Sequence, residues 1–119
     1  HFCHTSHGAA AVAHLNAPIE WIDDIKADLH QIEVSPKLRA LLGIAHKVQQ
    51  SGKHVLPEDI ENARQHGATD REIHDTVLIA AAFCMYNRYV DGLGTWAPQT
   101  NEEYAEMGQR MAHVGYNRF

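Results

Sequence analysis

Apolar side chains recur along this chain at steps of three and four residues, and nowhere does an alternating run rich in Val, Ile and Thr last long enough to make a strand. Ile19, Ile22, Ile25, Leu29 and Ile32 fall on one stripe, with Asp23, Asp24, Lys26 and Asp28 turned to water, which predicts an amphipathic helix over residues 17–31. Ser35 before Pro36 reads as an N-cap and first helical position, because Pro lacks the N–H that has no helical partner there. Leu38, Leu41, Leu42, Ala45 and Val48 carry that helix until Gly52 stops it. A short helix follows from Pro57, with Glu58, Asp59 and Glu61 near its positive end and Gly67 suited to a left-handed stop.

Thr69-Asp70-Arg71-Glu72 is the clearest start signal, a capping box in which the Thr hydroxyl and the Glu carboxylate satisfy orphan backbone donors. From Ile73 to about Gly92 the helix is apolar on nearly every face, and such a helix is expected in the middle of a bundle. Gly92, Gly94 and Pro98 end it. Thr100-Asn101-Glu102-Glu103 offers a second capping box for a last helix bearing Tyr104, Met107, Met111 and Val114 on one side. The Ala-rich opening, Cys3 to Leu15, also reads as helix. The expectation is an all-α, single-domain bundle of about six helices over residues 1–119.

Composition narrows the function. A chain of 119 residues is one domain's worth of sequence. Its formal net charge of −5, with no basic cluster, argues against nucleic acid as a partner. The longest apolar run, Val77 to Tyr86, is about half of what a bilayer-spanning helix needs, so no membrane span is expected. Cys3 and Cys84 are too few for a disulfide framework and fit a reducing compartment, which makes the cytoplasm the expected location. The chain opens on His1 with neither Met nor a signal-peptide pattern, so part of the natural chain is expected ahead of it. Ten histidines predict pH-sensitive solubility.

Chemistry is concentrated in Phe2-Cys3-His4-Thr5-Ser6-His7. Residues four apart on a helix share a face, so Cys3 can meet the His7 imidazole, and a thiol beside an imidazole in a first helical turn is activated as a thiolate. The competing reading is a buried cysteine with a surface histidine. Cys3, His7 and His14 could instead line one face for a metal, with His4 nearby and His46 or His74 as a fourth ligand. No CxxC pair or HExxH run anchors such a site, and neither a metal nor a cofactor is expected. Cys84, beside Phe83 and Met85, reads as a packed core cysteine. Asn87 and Asp91 share a face of an apolar helix and need polar partners, from each other, from Arg88 or across a subunit contact. His30, His54, His66 and His113 sit at expected helix ends or on polar faces.

The Cys3 to His7 spacing at the head of an Ala-rich helix resembles the second half of the E…CxxCxxxH signature of the alkylhydroperoxidase D-like, or carboxymuconolactone decarboxylase-like, family. The downstream chain is similar as well: a leucine-rich helix (Leu38 to Lys47), a short acidic helix (Pro57 to Ile60), the turn Gly67 to Ile73, and a long apolar helix ending in Asn87-Arg88 and Asp91-Gly92-Leu93-Gly94. The resemblance covers residues 2–94. It implies that Cys3 is the second cysteine of the pair, attacking a peroxide oxygen, and that His7 is its base. On that register the first, resolving cysteine and the glutamate fall before His1. The other register, with Cys3 as first cysteine, would put Ser6 and Ala10 where a cysteine and a histidine belong.

The function implied is a thiol-dependent peroxidase or disulfide reductase acting on a small peroxide or disulfide. Lactone decarboxylation of the carboxymuconolactone type is the alternative within the family. A non-enzymatic helical assembly unit is the alternative outside it. Homo-oligomers are expected under each reading, since Trp21, Trp96 and the Tyr104 to Met111 stripe leave apolar surface to cover, and the resemblance implies trimers or hexamers.

Overall fold

The computed structural model describes residues 2–28 and 33–115. Six α-helices follow one another: α1 (Phe2–Leu15), α2 (Ile19–Ala27), α3 (Pro36–Gln50), α4 (Pro57–Gln65), α5 (Asp70–Gly92) and α6 (Asn101–Val114), with a 3-10 turn at Gly52–His54. There is no strand among the described residues, so the all-α expectation holds. The chain divides into two compact units, one spanning His1–Ala27 and Tyr89–Phe119, the other Asp28–Arg88.

Local signals set most helix ends. In the 28–88 unit, Ser35 Oγ accepts from Leu38 N at 3.1 Å with Pro36 opening α3. Asp59 Oδ2 accepts from Leu56 N at 2.8 Å at the head of α4, and Gly67 takes a φ of 86° after its end, where a side chain would be strained. Thr69 and Glu72 form the reciprocal box before α5: Glu72 Oε2 accepts from Thr69 N at 2.7 Å and Thr69 Oγ1 from Glu72 N at 3.2 Å. Lys37 adds a 2.7 Å ion pair to the Glu72 carboxylate. Together these donors hold that carboxyl at about 2, well below its ordinary range. Lys47 pairs with both oxygens of Asp59 at 2.6 Å, and with the Leu56 N–H it lowers that carboxyl too.

The core of this unit is Ile44, Ala63, Ala68 and Ile73, with Leu41, Val48, Ile60 and Val77 packed around it. Here the expectation for α5 fails. Ile73 is its one buried residue, while Leu78, Ile79, Met85 and Tyr86 are each more than half exposed. The helix carries apolar residues all the way round, but only the edge through Ile73 and Val77 reaches the core built by α3 and α4.

In the other unit, α1 lies against α6 at very short range. A Cβ on Gly108 would stand 2.6 Å from the Ala9 carbonyl carbon and 2.7 Å from the Ala9 Cβ, so only glycine fits there. Tyr104 is buried one turn earlier on α6, its ring 6.5 Å from that of Phe2 and tilted by 41°. The second capping box forms as expected: Thr100 Oγ1 accepts from Glu103 N, and Glu103 Oε2 accepts from Thr100 N, each at 3.2 Å, and from Gln99 N at 2.6 Å. Helix α2 is shorter than expected. Pro18, without an N–H, stays outside it and accepts from Trp21 N at 3.2 Å, so winding begins at Ile19, and Asp28 has already left the helix. Leu29, His30 and Ile32, assigned to that stretch from sequence, lie outside the described residues.

Candidate functional site

Cys3 lies on α1, one turn before His7. It is buried, with 6% of its surface exposed, and its thiol is not in a disulfide. His7 follows one turn on and is half-buried. The structure therefore brings the two predicted residues to one stretch of one helix. It also fixes the orientation of the imidazole. His7 Nδ1 lies 2.8 Å from the Cys3 carbonyl oxygen. A carbonyl can only accept, so Nδ1 carries the proton of that bond and Nε2 is the nitrogen left to act as a base.

Ser6 is the residue that sequence reasoning missed. Its side chain is almost fully enclosed, at 1% exposure, and its Oγ donates to the Phe2 carbonyl at 2.9 Å. The same hydroxyl lies 3.3 Å from the Cys3 carbonyl and 3.4 Å from His7 Nδ1. Its spacing of three from Cys3 on one helix face was the available signal. A helical serine usually reads as a surface residue bonded back to its own helix, so that spacing alone does not predict an enclosed hydroxyl.

Compared with protein-family models, with curated proteins and with solved structures, the chain matches none.

His4, on the same turn, is exposed. Partial burial and then the Lys26 ammonium lower its pKa from the ordinary 6.5, with Asp23 acting in the opposite sense. His14, at the far end of α1, is exposed. Among the described residues no three His, Cys, Asp or Glu side chains converge as a metal would require. His46 and His74 belong to the other unit, where their rings lie 3.1 Å from Gln50 Nε2 and from Asp75 Oδ1 respectively.

Cys84 is half-buried rather than enclosed, its Sγ 3.9 Å from the Gln49 carbonyl oxygen. Asn87 finds its partner within α5: its Nδ2 donates to the Phe83 carbonyl at 2.8 Å, as Arg88 donates to the Cys84 carbonyl at 2.9 Å. Asp91 is exposed. No helix among the described residues is long and apolar enough to cross a membrane.

Proposed function

We propose that the chain is a thiol-dependent peroxidase or disulfide reductase of the alkylhydroperoxidase D-like kind, with Cys3 as nucleophile and His7 as base. The observation that carries this reading is the tethering of His7 Nδ1 to the Cys3 carbonyl, which leaves Nε2 as the proton acceptor one turn from the thiol.

The thiolate attacks one peroxide oxygen, the O–O bond breaks, and the departing oxygen takes the proton held by His7 and leaves as water or an alcohol. Cys3 is then a sulfenic acid. An external dithiol returns it to the thiol, giving up two electrons and two protons, becoming a disulfide and releasing water. The exposed apolar face of α5 favours self-association of such a unit, in line with the trimers or hexamers that the resemblance implies. The enclosure of Cys3 favours a second reading, a non-enzymatic helical assembly unit in which the cysteine is a packing group.

Peroxide consumption with dithiothreitol as reductant, followed with wild type, Cys3→Ser and His7→Gln, separates the two. The catalytic reading requires loss of turnover in Cys3→Ser and a fall of about a hundredfold or more in His7→Gln, with a sulfenic acid trapped on Cys3 by dimedone. Unchanged peroxide consumption in Cys3→Ser refutes it.

A further inference from the structure

Beside α1, on the side away from this thiol, the 1–27 and 89–119 unit carries an open cleft of about 450 Å³. Phe2 and Thr5 of α1 form one wall, Asp91 at the end of α5 and Thr95 of the following loop a second, and Asn101 and Tyr104 of α6 a third. Neither Cys3 nor His7 lines it. The volume falls within the range of small-molecule sites, roughly 300–1,000 Å³.

Its frame is held by bonds that need no ligand. Gly94 N donates to the Asp91 carbonyl at 3.1 Å, Thr95 donates to the Val90 carbonyl through both N and Oγ1 at 3.2 Å, and Gln99 Nε2 donates to the Ala97 carbonyl at 2.8 Å. The walls thus combine two aromatic rings with several short polar side chains. Among the described residues that line it, Asp91 alone is charged at neutral pH, and none of them forms an ion pair with it.

The charge of a fitting ligand follows from these groups. An anion would look to the N-terminus of α6, yet the N–H groups of Gln99, Thr100 and Glu103 there are already engaged by Glu103 and Thr100. An anion would also face Asp91. A cation gains the Asp91 carboxylate, and the Phe2 and Tyr104 side chains that also line the cleft offer apolar contact to its organic body. We propose that this cleft is a binding site for a small organic cation, an amine with a short aromatic or aliphatic body, whose ammonium sits at Asp91. The site stands apart from the thiol chemistry and does not depend on it.

The test is a titration of the full chain with phenethylammonium chloride, followed by the backbone amide signals of Thr95 and Asn101 in NMR, alongside phenylacetate and 2-phenylethanol. Saturable shifts with the amine are expected, with binding about fivefold or more weaker in Asp91→Asn, an exposed substitution that leaves the frame bonds intact. Absence of a saturable shift refutes the site. Binding of phenylacetate or 2-phenylethanol as tight as that of the amine, or an unchanged Asp91→Asn, refutes its charge selectivity and overturns the proposal.

Discussion

Gly108→Ala tests the packing of α1 against α6. The new Cβ would lie 2.6 Å from the Ala9 carbonyl carbon, 2.7 Å from the Ala9 Cβ and 2.8 Å from the Ala9 carbonyl oxygen. Ordinary carbon contacts begin near 3.5 Å, so the helices must part by about 1 Å or deform. Overpacking of this kind costs about 1–3 kcal/mol, against which alanine returns up to about 1 kcal/mol of helix propensity. Because two of the clashing atoms are backbone and cannot turn aside, the cost falls in the upper half of that range, and the net loss is about 1–2 kcal/mol. With an unfolding entropy of roughly 2.1 cal/mol/K per residue, each kcal/mol shifts Tm by about 4 °C in a chain of this length, so a fall of about 4–8 °C is expected in a thermal melt followed by circular dichroism. Gly43→Ala in α3 is the control: a Cβ there meets nothing within 4 Å, and propensity alone should raise Tm by up to about 4 °C. Ala9→Gly should rescue Gly108→Ala only in part, because two of the three close atoms belong to the Ala9 backbone. A Gly108→Ala protein melting at or above wild type would show that α1 and α6 are not in this close register.

Two pH dependences follow from the charged groups. Glu72, held at about 2 by Lys37 and Thr69 against an ordinary 4.5, contributes stability that is complete above pH 4.5 and is lost as pH falls from there toward 2. Urea midpoints of wild type and Glu72→Gln should converge over that interval, and a pH-independent gap between them contradicts the assignment. His4 has the opposite chemistry but the same slope: its lowered pKa means that the unfolded chain takes up the proton first, so it adds nothing above pH 6.5 and destabilises the fold as pH falls through 6.5 and below. His4→Gln should therefore lose less stability than wild type between pH 8 and pH 5.5, and an equal loss refutes the penalty that partial burial and then Lys26 place on a charged His4.

What could be read from sequence was local. Ser35, Gly67, Thr69 and Thr100 act on backbone groups within a few residues, so their roles do not depend on what the rest of the chain does, and each holds in the structure. The close approach of Ala9 to Gly108 was hidden because a glycine in a helix looks like a weak position until its neighbour is known. The placement of α5 was misjudged for a related reason. An apolar helix is buried only if other elements surround it, and in the 28–88 unit α3 and α4 reach one edge of it. The cleft beside Asp91 depends on a loop and three helix ends meeting, which no spacing encodes.

The candidate site shows the same boundary within a single turn of helix. A spacing of four places Cys3 and His7 on one face, but that face offers the imidazole two targets: the thiol of Cys3 and the carbonyl behind it. Spacing cannot choose between them, since the choice lies in the side-chain torsions of His7. The Nδ1 bond to the carbonyl makes that choice, and any proton taken from the thiol must go to Nε2. The enclosure of Ser6 fits this arrangement, because its hydroxyl, bonded to the Phe2 carbonyl, fills the space beside Nδ1 where water would otherwise compete for the ring. The chemistry proposed for Cys3 is therefore tied to packing. Cys3 as a residue is only 6% exposed, so under that proposal a compact oxidant is favoured over a bulky one, and turnover of hydrogen peroxide should exceed that of a bulky organic hydroperoxide.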